Sequence, residues 1–267
     1  MSTPAEMPEQ APVLLRQDNN HICTLTLNRP DKFNALSEEL IDSLHNAFHD
    51  LASDKNIRVI ILAAAGKAFC AGHDLKEMRA NPDLDYYKRL FRKCSNMMLA
   101  MIRLPQPVIA RVHGIATAAG CQLVANADMA VASSESSFGT SGINVGLFCM
   151  TPGVAVSRNL NRKSAFEMLF IGDIIPPERA LEIGLVNRVV SPEELDKTID
   201  GFARSIIGKS RAAVAAGKRV FYRQLEQGIE DAYTYASEEM ACNMMFHDAG
   251  EGIDAFIGKR EPVWHHE

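Results

Sequence analysis

Short runs of alternating or β-branched apolar residues open the chain and then give way to apolar positions at helical spacing. Val13 to Arg16 and His21 to Leu27 read as two strands joined by Asp18-Asn19-Asn20, a hairpin signal. Asn28-Arg29-Pro30 ends the second strand, because proline lacks an N–H and holds its predecessor extended. Ser37 is placed as an N-cap, with Glu38 and Glu39 in the first turn of a helix whose apolar side is Leu40, Leu44, Ala47, Phe48 and Leu51. Arg58 to Leu62 is the next strand. This strand–strand–helix–strand rhythm predicts repeated ββα units.

Further along, Gly66 to Met78 reads as a loop with a glycine turn that leads into a short helix. Met78 to Tyr87 is polar and reads as a mobile lid. A long helix follows, burying Leu90, Cys94, Met97, Met98 and Met101. Val108 to Val112 is a β-branched run, hence a buried strand, and Gly114 breaks it. Small residues fill Ala116 to Gly120. A helical patch of Leu123, Val124 and Ala127 comes next, and Asp128 opens a strand over Met129 to Ala132. A strand that passes through a small-residue turn into a helix leaves free backbone N–H groups that a ligand oxygen can approach. The same pattern also serves tight helix–strand packing with no ligand.

Thr151-Pro152-Gly153 reads as a helix start with proline at the first position. Ala165 to Phe170 and Pro177 to Leu181 are further helical pieces. Ser191-Pro192-Glu193-Glu194 has the form of a capping box, and the chain from there to Phe246 is helical by pattern. The expected division is a flexible leader over 1–12, a core over 13–200 and a C-terminal helical region over 201–267.

Composition narrows the partners. A chain of 267 residues, 47% hydrophobic, buries a full core. A net charge of −5 supplies no basic field for nucleic acid or anionic membrane surfaces, and no apolar run is long enough to span a bilayer. The leader is Pro-rich and acidic, without the form of a secretory signal or a transit peptide. Six isolated cysteines without a C-x-x-C pair fit reduced thiols, so the expected location is cytoplasmic.

Val112 to Asp128 resembles the V-x-G-x-A-x-G-G-G-x-E-L-A-x-x-x-D motif of the enoyl-CoA hydratase/isomerase (crotonase) family. Phe69 to Leu75 resembles its F-x-A-G-x-D-L segment. Ser136 to Leu147, Gly184 to Val190 and Phe256 to Arg260 resemble three later signatures in the same order. The resemblance covers roughly residues 13 to 264. It implies an α/β fold, a crotonase-like spiral of ββα units followed by a C-terminal helical oligomerisation region. It also implies a homotrimer or dimer of trimers that binds an acyl-CoA thioester, with coenzyme A as part of the substrate and no covalently bound cofactor. His265 and His266 are read as a native tail or tag remnant, not a metal site.

By that resemblance the thioester carbonyl lies between the backbone N–H groups of His73 and Ala119. Lys32, Lys67 and Lys76 would line the coenzyme A adenine and phosphates, and Phe33, Ala35, Ala71, Asp74, Leu75 and Gly120 would complete the binding surface. Phe256 and Lys259 would add contacts, Lys259 from a neighbouring subunit. Each lysine alone reads equally well as a solvated surface residue. The family's two hydration glutamates fall at Gln122 and Gly142, and a third family position for a carboxylate falls at Met150. An amide neither takes up nor releases a proton near neutral pH. General acid–base help contributes roughly 10²–10⁴ per group, so standard two-glutamate hydration is not expected to be fast. His73, Cys121, Cys149, Asn144 and Ser141 are the nearby candidates, of which His73 and the thiols titrate in a useful range. Two readings stay open: an acyl-CoA enzyme that moves protons through His73 or a water on Gln122, and an acyl-CoA binder without turnover. Replacing both positions by Glu is expected to raise hydration at least about tenfold.

Overall fold

A computed structural model describes residues 11–266; the first ten residues of the leader lie outside the described residues. The chain begins with an antiparallel hairpin, β1 (Leu14–Asn19) and β2 (Ile22–Leu27). The turn is shorter than the sequence implied. Asn20 and His21 alone form it, both with positive φ (47° and 68°), as a right-twisted two-residue hairpin requires. Helix α1 (Glu38–Ser53) starts on Ser37, whose Oγ accepts from Leu40 N, and it buries Leu40, Ile41, Leu44, Phe48 and Leu51.

Three parallel strands carry the sheet across: β3 (Val59–Ala64), β5 (Val108–Val112) and β7 (Met129–Ser133). With β9 (Arg188–Val190) they give the order β1-β2-β3-β5-β7-β9. Each of the three is followed by a short strand of a second parallel sheet, β4 (Ala68–Cys70), β6 (Ile115–Thr117) and β8 (Ser137–Gly139). The chain therefore climbs in a spiral of repeated units, stacking one sheet on each side of the turn. In the sequence β4 falls in a stretch that reads as loop, β6 overlaps the small-residue turn and β8 lies in a stretch with no element assigned, because three residues are too few to show a period of two.

Alternation along the large sheet sorts its side chains between two cores. Ile60, Val108, Ala110, Ala130 and Ala132 face the main core. Val59, Ile109 and Val131 face the opposite way, onto Leu195, Ile199 and Ala203 of α8 (Leu195–Ile207). Burial on both faces is why these strands read as continuous apolar runs.

The stretch expected to be a mobile lid is helical. It forms α2 (Leu75–Ala80) and the start of α3 (Leu84–Arg103), with Met78 and Tyr86 buried and the Tyr87 hydroxyl donating to Met78 O at 3.1 Å. Polar residues there cover the outer face only. Helix α4 (Ala119–Asn126) is buried at every position. The next helix, α5 (Met150–Asn159), begins two residues before Pro152, which thus lies at its third position, still inside the first turn where no N–H is needed. Beyond α6 (Arg162–Ile171) and α7 (Pro177–Glu182), Ser191 makes no capping hydrogen bond, so the expected capping box does not form.

The C-terminal region is helical as read: α9 (Arg211–Gln224), α10 (Ile229–Met244) and α11 (His247–Ile257). Lys218 of α9, nine-tenths buried, ties this region to the core, donating to Asp128 Oδ2 at 2.6 Å and to Gln106 O at 2.9 Å. Tyr222 donates to the other Asp128 oxygen at 2.8 Å. The terminal tail is docked rather than loose: His265 N and His266 N both donate to the buried Asp248 carboxylate. Helices α10 and α11 leave Ile229, Tyr233, Met240, Phe256 and Ile257 exposed.

Candidate active site

Two backbone turns meet at the start of α4. The first is the run from Cys70 to Asp74 that leaves β4. Its backbone pairs with the loop before α1: Ala71 N donates to Phe33 O, Leu36 N to Gly72 O and Asp74 N to Leu36 O, at 2.8–3.1 Å. His73 N donates to nothing among the described residues. The second turn is Ala118-Ala119. Ala118 N donates to Gly139 O at 2.9 Å, while Ala119, as the first residue of α4, has a free N–H.

Glycine decides how close the two turns come. Gly72 has φ +92°, and a β-carbon there would lie 2.9 Å from Ala118 Cβ and 3.3 Å from Ala119 N. Its absence keeps open the space in front of the Ala119 N–H, one residue away from the free N–H of His73. A β-carbon at Gly120 would stand 2.0 Å from Cys70 O, so nothing larger fits. Ala119 is helical and needs no glycine; the unusual backbone falls on Ala118, at φ 49°, ψ −118°. Such a conformation in a residue with a side chain is kept only where the surroundings enforce it.

Residues not singled out from the sequence hold this arrangement. Asn34 is fully buried with φ 53°; its Oδ1 accepts from Arg29 N and its Nδ2 donates to Ala65 O and Ala68 O. One amide thus ties the loop before α1 to both ends of the turn before β4. Thr117 Oγ1 donates to Ala71 O at 3.1 Å. Asp74, expected to touch ligand, instead caps α2, accepting from Lys76 N and Glu77 N, and pairs with Arg29 at 3.1 Å. Nothing in Phe33-Asn34-Ala35 marks the Asn as buried, because two of its three partners, Ala65 O and Ala68 O, come from a distant segment.

The side chains around the amides are neutral. Gln122 is 5% exposed, and its Oε1 is enclosed without a partner. His73 Nε2 is enclosed and unpartnered as well, with the ring edge-on to Phe91 at 5.4 Å between centroids. Burial lowers the His73 pKa from an ordinary 6.5 to about 4. Burial also pushes the Cys121 thiol up to about 12, and raises that of Cys149. Gly142 leaves no room for a side chain, since a β-carbon would stand 2.5 Å from Leu147 O and 2.8 Å from Cys149 Sγ. Asn144 is engaged with Gly172 O at 3.0 Å, and Met150 is 73% exposed.

Lys32, Lys67 and Lys76 are exposed, each close in sequence to a segment of the two turns, and none pairs with a carboxylate among the described residues. Phe33 and Leu75 are exposed apolar residues on the same segments, and Ala35 is half-buried between them. Phe256 and Lys259 are not brought to the amides within this chain: α11 packs on α9 and α10, and Phe256 borders a cavity with Trp264 and Phe246.

Residues 17–267 match the family model described as enoyl-CoA hydratase/isomerase, and the chain belongs to that family. Among its relatives, the Xenopus laevis protein named enoyl-CoA hydratase domain-containing protein 3, mitochondrial, is 46% identical, over 97% of this chain and 88% of that protein. A crystal structure of an enoyl-CoA hydratase from Mycobacterium smegmatis superposes with a TM-score of 0.94 at 58% identity, covering 96% of this chain and all of that one. That of human enoyl-CoA hydratase domain-containing protein 3 gives 0.91 at 45% identity, over 94% of this chain and 100% of its own. The cytoplasmic expectation is corrected by these relatives, since the vertebrate proteins similar to this chain are mitochondrial by name. Reduced, isolated thiols do not distinguish one reducing compartment from another.

The low His73 pKa has a testable consequence. The unfolded chain binds a proton near pH 6.5 that the folded chain refuses until about pH 4. The His73 contribution to stability is therefore complete above pH 6.5 and is lost as pH falls towards 4. Urea denaturation of His73→Gln across that window is expected to show a shallower acid decline than wild type. Parallel curves would mean that folding does not lower the His73 pKa.

Proposed function

We propose that the chain binds an acyl-CoA thioester with its carbonyl oxygen between the N–H groups of His73 and Ala119. The observation that supports this reading is a pair of backbone N–H groups without partners among the described residues, on two turns that the missing side chain of Gly72 lets come close. Charge that moves onto the thioester oxygen during reaction is stabilised by donors already in place; removing one such donor typically costs about 10²–10³ in rate. The printed name of the Mycobacterium smegmatis relative supports an enoyl thioester as the substrate class.

Hydration by two carboxylates is outside the reach of this site. Gln122 and Gly142 stand where the family pattern has glutamates, the nearby thiols are held protonated, and neutral His73 is a weak base. This favours a second reading alongside unorthodox proton handling: a binder of acyl-CoA that does not turn it over. The position at Gly142 also revises the expectation for substitutions. Gly142→Glu would drive a β-carbon into Leu147 O, so the double variant is expected to unfold or misfold. Gln122→Glu conserves size, and alone it is expected to raise hydration about tenfold, within the range of one general acid–base group. The assay is loss of the conjugated enoyl-thioester absorbance, with Gln122→Ala beside it. Brisk wild-type turnover that survives Gln122→Ala would sink this account.

Lys32, Lys67 and Lys76 are read as the rim that holds coenzyme A phosphates. Acyl-CoA affinity is then expected to weaken as salt rises, because exposed charge pairs are screened; an affinity unchanged from low to high salt counts against the three lysines. The exposed apolar faces of α10 and α11 are read as subunit contacts of a trimer or dimer of trimers, with Phe256 and Lys259 offered to a neighbour. Sedimentation velocity at micromolar concentration checks this, and a monomer would contradict it.

A further inference from the structure

Away from the amide turns, a cavity of about 450 Å³ lies between the last turn of α1 and the first turn of α9. Its remaining walls include Ile57 and Arg58, which lead into β3, and Pro105 and Gln106, which lead into β5. The amide turns come after the far ends of those strands, so the two places sit at opposite ends of the parallel strands. Small-molecule pockets span about 300–1,000 Å³, and this cavity falls within that range.

Lys55, Arg58 and Arg211 line the cavity against a single carboxylate, Asp54. That carboxylate is already engaged: Oδ2 accepts from Arg16 at 3.3 Å and Oδ1 from Asn56 N at 2.9 Å. Arg58 is 8% exposed; its Nη2 donates to Lys209 O at 2.7 Å, and its Nη1 lies 3.3 Å from His266 Nε2. Arg211 donates to Lys55 O at 3.3 Å and to His266 O at 3.1 Å. Among the described residues neither guanidinium pairs with a carboxylate, and each has five N–H groups to place. Burial and the charge of Arg211 both pull the Arg58 pKa below its ordinary value. Asp248, which accepts from His265 N and His266 N, opposes that shift without reversing it. A buried cation without a counter-charge is costly, and an anion placed beside it relieves the cost. The first turn of α9 has no acidic residue, so the positive end of the helix dipole adds to the same field.

The rest of the lining selects the kind of anion. Ala52, Ile57, Pro105, Val214 and Ala215 make it mainly apolar. A bare inorganic ion would leave those walls facing water, and a hydrocarbon alone would leave the guanidiniums without a counter-charge. A dianion would meet Asp54 in the same lining and Asp248 beside His266. We infer that the cavity binds a small organic monoanion, a carboxylate on a short hydrocarbon body. Arg58 and Arg211 hold the carboxylate, in the fork geometry that suits it, and the body lies against Pro105, Val214 and Ala215. This site is separate from the amide turns and does not depend on the acyl-CoA reading.

The test is isothermal titration of the full chain with hexanoate, acetate, hexanol and hexyl phosphate. Hexanoate is expected to bind at least about tenfold more tightly than acetate, since each buried CH₂ adds roughly fourfold. It is also expected to bind at least about tenfold more tightly than hexanol, which lacks the charge that the guanidiniums read. Arg58→Gln and Arg211→Gln are each expected to weaken hexanoate at least about tenfold, and Ala215→Phe, which fills the cavity, to remove its binding. If Arg58→Gln does not fold by circular dichroism, Arg211→Gln and Ala215→Phe carry the comparison. Hexanoate affinity unchanged in these variants puts the ligand elsewhere and overturns the inference. So does acetate or hexanol binding as tightly as hexanoate, tighter binding of hexyl phosphate, or no binding by any of the four. A chain lacking Glu267 is titrated beside wild type; hexanoate binding seen only there would make the last residue the occupant, and would overturn the inference as well.

Discussion

The tight approach between the chain leaving β4 and the first turn of α4 sets what the rest must do. Cys70 O lies where a β-carbon of residue 120 would be, and Ala119 N lies in contact range of a β-carbon at 72. Glycine at both places is therefore a steric requirement. The turns that carry the His73 and Ala119 amides follow β4 and β6, which are neighbours in the small sheet, with Cys70 paired to Ala116. The Asn34 amide holds the loop before α1 against the turn before β4 through Ala65 O and Ala68 O.

Around this backbone centre the side chains are uncharged. Gln122, neutral His73 and protonated Cys121 surround it where acid–base chemistry would need a titrating group near neutrality. Burial is the common cause: it disfavours the charged form of each ionisable group. Gln122 Oε1 and His73 Nε2 are likewise enclosed, with no hydrogen-bond partner among the described residues.

The core helices and central strands were legible in the residue pattern alone. Ser37 with Leu40, Leu44, Phe48 and Leu51 defined α1, and the apolar runs defined β3, β5 and β7 because each is buried on both faces. The proposal for the amides of His73 and Ala119 came from motif resemblance, and among the described residues neither N–H has a partner. Short strands such as β4 were not legible, because three residues carry no period. The helical character of the 78–87 stretch was hidden because its outer side is polar, and only packing shows Met78 and Tyr86 turned inward.

By itself the sequence determined which segments are helical or extended over long stretches, which residue types are available at the site, and that Gln122 and Gly142 carry no carboxylate. These are local properties, set by side-chain chemistry and spacing. Tertiary structure alone decided that Asp74 caps a helix, that Gly142 has no room for a side chain and that His73 stays neutral. The cap itself is local, to Lys76 N and Glu77 N, but Arg29 meets Asp74, Leu147 O turns back on Gly142 and Phe91 stands edge-on to the His73 ring only in the folded chain. Burial and close approach arise only when segments remote in sequence pack together, and no local pattern encodes them.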